Sequence, residues 1–351
     1  FSRSNRGRCR VGSMNLQRAE ATRMRSRLRI ASSHITDARR ALLRRGDVIA
    51  LALATILLGG AGLVSSAELL SAADVMALTQ PESHARIPYG AHTQQFGDLR
   101  LPAGAGPHPV VVFLHGGCWL ARYDLEHAGR MLAALADHGI ASWSVEYRRV
   151  GNGGGWPMTF EDVANGVDHL RDLAPRYALD LDRVILAGHS AGGHLALWAA
   201  ARPNLRKAGR LSSVNPLRVR GVLGLAPAPG LAALHKRGVC GQVIDTLMGG
   251  SPRQRPDRYR NGDPTEVAPA VPQVLLLGEL DAGWRKSGTD YYRAAYLRGD
   301  AVRLRTLKGA GHFELIMPGP PAWNDVLAEV RLLLGPESQH MDHLEDRRGP
   351  P

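Results

Sequence analysis

The chain of 351 residues carries 44% hydrophobic and 22% charged side chains, the proportions of a globular protein with a buried core and not of a disordered chain or a multi-span membrane protein. Its formal charge of +12 is not a nucleic-acid signature: residues 1–46 hold 13 Arg against Glu20 and Asp37, a net +11, so the other 305 residues sum to +1. A nucleic-acid surface needs Lys and Arg clustered in the folded part, so no nucleic-acid partner is expected.

The Arg-rich stretch precedes an uncharged run of 20 residues, 48–67, which follows Arg44 and Arg45 and closes on Ser65-Ser66-Ala67 before Glu68. Basic flank, apolar run and small-x-Ala end are the layout of a secretory signal. The run is also long enough to span a bilayer. Residues 1–67 are therefore expected to be a leader that exports the protein to a periplasmic or extracellular space, or alternatively a membrane anchor.

From residue 68 the pattern changes. Residues 86–101 suggest a short hairpin. Residues 110–114 (VVVFL) are a continuous apolar run, as in a strand buried on both faces. A helix is expected over 124–138, closed by Gly139, then a strand over 140–145 and a Gly-rich loop over 151–157. A helix over 159–173 has Thr159 as its candidate N-cap and Asp162 three residues on. Strand 183–187 and helix 191–201 follow, then strand 219–225. Residues 226–262 look irregular and suggest a short cap insertion. Strand 274–277, helix 288–298, strand 302–306 and helix 322–334 end the folded part at 335, and 336–351 is a polar tail expected to fray. Strands alternating with helices predict an α/β fold, a mostly parallel central sheet with helices on both faces.

Cys9, Cys118 and Cys240 have no CxxC spacing, hence form neither a disulfide framework nor a zinc site. A Cys118–Cys240 bridge is allowed but not expected. There is no HExxH or Walker A, and Trp156 occupies the last glycine position of the loop that would otherwise suggest a dinucleotide site. No metal and no cofactor are implied.

Three islands carry chemistry. Gly188-His189-Ser190-Ala191-Gly192 is a G-x-S-x-G between an apolar strand and a helix, the setting in which a serine sits on a strained turn among tiny neighbours. His115-Gly116-Gly117-Cys118-Trp119 follows strand 110–114. Backbone N–H groups of such a loop, with that of the residue after the nucleophile, can stabilise an oxyanion at about 3 kcal/mol each. That makes Gly116, Gly117 and Ala191 the candidate donors, with His115 a structural residue that orders the loop. Asp281 follows strand 274–277, and His312 stands in Gly309-Ala310-Gly311-His312-Phe313. A neutral serine needs a base, and the base needs a carboxylate to fix its tautomer. The order Ser190, Asp281, His312 suits this architecture, with Glu279 as the competing acid. Trp119, Trp156, Trp284 and Phe313, with the 226–262 segment, are expected to wall the substrate pocket. Trp119 is equally consistent with core packing.

HGGCW, GHSAGG, GELD and GAGHF together resemble the α/β-hydrolase family. Within it they resemble the HGGxW group of arylformamidase (kynurenine formamidase) and related bacterial carboxylesterases, over residues 86–335. The resemblance implies nucleophile Ser190, base His312, acid Asp281 and oxyanion donors Gly116, Gly117 and Ala191. It implies a serine esterase acting on a small-molecule ester through an acyl-enzyme. The alternative is hydrolysis of N-formyl aryl amides, although an export signal departs from the usual arylformamidase, which acts on a cytoplasmic metabolite. A non-catalytic hydrolase-fold binding protein is the reading from another class.

Overall fold

The computed structural model describes residues 68–205, 210–212 and 214–336. The chain divides into residues 1–67 and residues 68–351; the expected leader or anchor, and the expected tail 336–351 except for residue 336, lie outside the described residues. Among the described residues no helix is long and apolar enough to cross a membrane.

Eight strands form one sheet: β1 (Ala85–Pro88), β2 (Phe96–Arg100), β3 (His108–Leu114), β4 (Ala141–Val145), β5 (Leu179–His189), β6 (Gly221–Leu225), β7 (Gln273–Gly278) and β8 (Val302–Leu307). Their spatial order is β1-β2-β4-β3-β5-β6-β7-β8. The hairpin β1–β2 and the β2–β4 pair are antiparallel, and every pair from β4–β3 to β7–β8 is parallel. Sterics of the pleat divide each strand between two cores. Val110, Val112 and Leu114 of β3 face one cluster, and Val111 and Phe113 face the other. Both faces are covered, which is why the inner strands read as unbroken apolar runs while β1 and β8, at the edges, are half-exposed.

The first cluster is covered by α3 (Met158–Asp168), α4 (Leu170–Tyr177), α5 (Ala191–Ala201) and α9 (Arg285–Arg298). The second is covered by α2 (Gly129–Asp137) and α10 (Trp323–Leu334), joined by Val75 of α1 (Ala72–Ala77). Every residue of α5 is buried, which accounts for its lack of a polar face. Helix α1 was not anticipated, although Ser71 and Asp74 cap it reciprocally.

Two expectations fail for tertiary reasons. The helix expected over 159–173 is two helices, and Thr159 is not its cap. The Thr159 hydroxyl donates to the Arg148 carbonyl at 2.7 Å and accepts from the Gly155 N–H at 2.9 Å. Asp162 instead takes the backbone N–H and guanidinium of Arg148. Residues 226–262 are not irregular. They hold α6 (Leu231–Lys236), α7 (Val243–Met248) and α8 (Pro256–Gly262), each too short to show a period but each planting side chains such as Leu234 and Leu247 in the core.

Candidate active site

Ser190 occupies the one-residue turn between β5 and α5, at φ 54° and ψ −119°, a conformation that costs about 1–3 kcal/mol and persists only when its surroundings impose it. They do so on both sides. The Ser190 N–H donates to the Leu225 carbonyl at 2.9 Å, and the Ser190 carbonyl accepts from the Ala228 N–H at 2.9 Å. Gly192 lets α5 approach β3: a Cβ there would collide with the carbonyl oxygens of Leu114 and His115.

Asp281 and His312 sit beyond the ends of β7 and β8. His312 Nδ1–H donates to Asp281 Oδ2 at 2.6 Å, which fixes the ring orientation and leaves Nε2 free as an acceptor. The second Asp281 oxygen takes the Trp284 N–H at 3.2 Å, and the Trp284 ring stacks on His312 with centroids 5.3 Å apart. Glu279 turns away: it is exposed and accepts from the Gly309 N–H at 3.0 Å. Buried Glu314 takes the Gly311 N–H at 2.9 Å through one oxygen and the Leu70 N–H at 2.6 Å through the other.

The glycine loop after β3 is held from below by histidines and one ion pair. His115 is fully buried and stacks on Tyr147 at 4.4 Å. Its Nδ1–H donates to the Gly116 carbonyl at 2.9 Å, and its Nε2 accepts from Arg149 at 3.0 Å. Arg149 pairs with buried Glu146, and the Tyr147 hydroxyl donates to the His115 carbonyl at 2.7 Å. Burial, then the Arg149 charge, pushes the His115 pKa well below the ordinary range. His115 therefore orders the loop.

His127 was not singled out from sequence. Its Nδ1–H donates to the Asp124 carbonyl at 3.2 Å, so its Nε2 can accept the Gly116 N–H at 3.3 Å. Burial, then His115, lowers its pKa to about 3. This bond engages the Gly116 N–H, which removes Gly116 from the expected oxyanion donors. Among the described residues the N–H groups of Gly117, Cys118 and Ala191 take no acceptor. Gly117 has φ 104° and Tyr123 packed where a Cβ would point, so no other residue fits there.

Cys118 corrects a further expectation: it forms a disulfide with Cys240, Cα atoms 5.9 Å apart across 122 residues of chain. The turn between α6 and α7 folds back onto the glycine loop, a proximity that sequence spacing cannot reveal.

Ser190, Asp281 and His312 line one cavity of about 450 Å³, with Gly117, Trp284 and Phe313. Two expected wall residues are elsewhere. Trp119 is fully buried, edge-on to His194 at 5.3 Å. Trp156 packs on Phe160 at 5.2 Å. Nor does any residue of 226–262 line the cavity. Its outer wall is Leu69, Leu70, Val75 and Met76, from the segment around α1. Among the described residues no group of His, Cys, Asp and Glu could hold a metal ion.

The chain is 26% identical over 279 residues to a probable isoprenylcysteine α-carbonyl methylesterase of Arabidopsis thaliana, covering 75% of this chain and 58% of that protein's length. It is 31% identical over 121 residues to the esterase LipC of Mycobacterium tuberculosis, covering 34% of this chain and 30% of that one. The solved structure of esterase B from Lactobacillus rhamnosis superimposes with a TM-score of 0.64 at 20% identity, over 74% of this chain and 89% of that chain, and the fold is that of the α/β-hydrolases. Residues 98–282, more than half of the chain, match the BD-FAE family model, and the chain belongs to the BD-FAE family.

Proposed function

We propose that this chain is a serine hydrolase of carboxylic esters, with Ser190 as nucleophile, His312 as base and Asp281 as the acid that orients it. The observation that carries this reading is the 2.6 Å hydrogen bond from His312 Nδ1 to Asp281, inside the cavity that Ser190 lines. A serine hydroxyl attacks a carbonyl only with a base to receive its proton. In the proposed sequence Ser190 Oγ adds to the ester carbonyl as its proton passes to His312 Nε2. The tetrahedral oxyanion is met by the N–H groups of Ala191 and Gly117, with Cys118 as a further candidate. Collapse of the intermediate expels the alcohol, which takes the proton from His312. Water then gives a proton to Nε2 and attacks the acyl-enzyme, and collapse of the second intermediate releases the acid as Ser190 Oγ takes that proton back from His312. The α-carbonyl methyl ester named for the Arabidopsis relative is one member of this substrate class.

Export is the proposed location. The Cys118–Cys240 bridge supports it, since disulfides persist mainly in oxidising compartments, as does the signal-like layout of residues 48–67. Recovery of a mature protein beginning at Glu68 supports cleavage, whereas a membrane-bound chain retaining 48–67 supports the anchor.

The test of the activity is labelling with a fluorophosphonate probe, wild type beside Ser190→Ala, followed by turnover of an aryl ester and an N-formyl aryl amide. Labelling that disappears in the variant, with ester turnover exceeding formamide turnover, is the expected result. Residual ester hydrolysis in Ser190→Ala overturns the assignment, and a preference for the formamide moves the enzyme to the arylformamidase reading.

A further inference from the structure

The cavity has an apolar wall that the proposed chemistry does not use. Leu69 and Leu70 enter it ahead of α1, and Val75 and Met76 come from α1 itself. This segment runs as a strap between the two halves of the site. At one end Leu70 is bonded to Glu314, and Leu69 lies against Gly311, next to His312. At the other end Met76 shares a small neighbouring recess with Tyr123 and His127, and Tyr123 covers Gly117.

Seven large hydrophobic side chains are exposed among the described residues, and three of them stand at this one mouth: Leu69 at 39%, Met76 at 52% and Leu280 at 49%. Apolar surface left in water is unfavourable in proportion to its area. Scattered singly it needs no explanation, but gathered at the rim of a reactive cavity it marks a ligand site.

We propose that Leu69, Met76 and Leu280 bind the hydrocarbon chain of the substrate, so that this site prefers uncharged esters with an apolar chain of medium length over acetyl esters. The inference rests on the proposed ester hydrolysis and names its substrate class. The strap, not the 226–262 insertion, is then the element that sets specificity.

The experiment measures kcat/KM over two series, p-nitrophenyl esters from acetate to octanoate and alkyl acetates from methyl to octyl, for wild type and for Leu69→Asn/Met76→Asn. Both positions are exposed, so the substitutions leave the buried core intact. In at least one series the wild type should gain about tenfold or more from the shortest to the medium chains, and the double variant should lose most of that ratio. A flat profile in the wild type, or a long-to-short ratio unchanged in the variant, overturns the inference. Hydrolysis that survives Ser190→Ala marks the separate failure of the esterase reading.

Discussion

The Nε2–H of His189 donates to the backbone carbonyl of His312 at 3.0 Å, so the residue beside Ser190 holds the loop that carries His312. The two rings lie 4.5 Å apart, and His189 is 1% exposed. Its pKa is driven well below the ordinary histidine range by burial, then by His312 and His127. It is therefore neutral and acts as a fixed donor. Together with Glu314, which takes the Gly311 N–H, it grips this loop on either side of His312.

His189 is accordingly expected to act as a positioning residue for His312. His189→Ala is expected to lower kcat about 10- to 100-fold with KM nearly unchanged, because a misplaced base costs rate more than binding. His189→Gln, whose amide can still donate, should recover part of the loss. Equal activity of the Ala and wild-type proteins would falsify this role, and loss in KM alone would move His189 to substrate binding.

The choice between two nearby acids can be tested in the same way. Asp281 bonds to His312, while Glu279 is spent on the Gly309 N–H. Asp281→Asn should reduce kcat by about 10⁴-fold, as expected when the carboxylate that sets the tautomer is lost. Glu279→Gln should fall within a few-fold of wild type. The reverse order of effects would reassign the acid.

What was legible in the sequence was local. The run at 110–114 and the span of α5 follow from unbroken apolar stretches, because a strand buried on both faces and a helix buried all round leave no polar face. The strained turn at Ser190 showed itself through the small residues it demands. What was hidden depends on residues far apart in the chain. Nothing near Gly116 says that His127 takes its N–H, nothing near Cys118 points to Cys240, and Trp119 carries the same indole whether it walls a pocket or fills the core. The strap at Leu69–Met76 escaped notice because six helical residues are too few for a period, and only the Ser71–Asp74 box announced it.

The Cys118–Cys240 bridge closes a loop of 122 residues. Cross-linking removes freedom from the unfolded chain and typically contributes about 2–4 kcal/mol. For a domain of this size that corresponds to roughly 4–7 °C in Tm. Thermal melting with and without a dithiol reductant should show such a drop, and Cys240→Ser should reproduce it without reductant. Because Cys118 lines the cavity beside Gly117, ester turnover should fall as the bridge opens. If both thiols titrate as free and Tm does not move, the bridge has no stabilising role.

Four buried histidines make stability depend on acidity. Burial is the first cause in each: it lowers His127 to about 3 and His194 to about 4, and holds His115 and His189 well below their ordinary value. Unfolding returns each to a pKa near about 6.5. Between those limits the unfolded chain binds more protons, so stability is fully present above about pH 6.5 and is lost as the pH falls toward the folded values. Well inside the window each histidine contributes about 1.4 kcal/mol per pH unit. Urea unfolding at pH 7, 6 and 5 should therefore show a steep decline in stability, and His127→Gln should reduce the slope by about one histidine's share. A stability that stays level from pH 7 to pH 5 would mean that these rings accept protons in the folded protein as readily as in the unfolded chain, contrary to their burial.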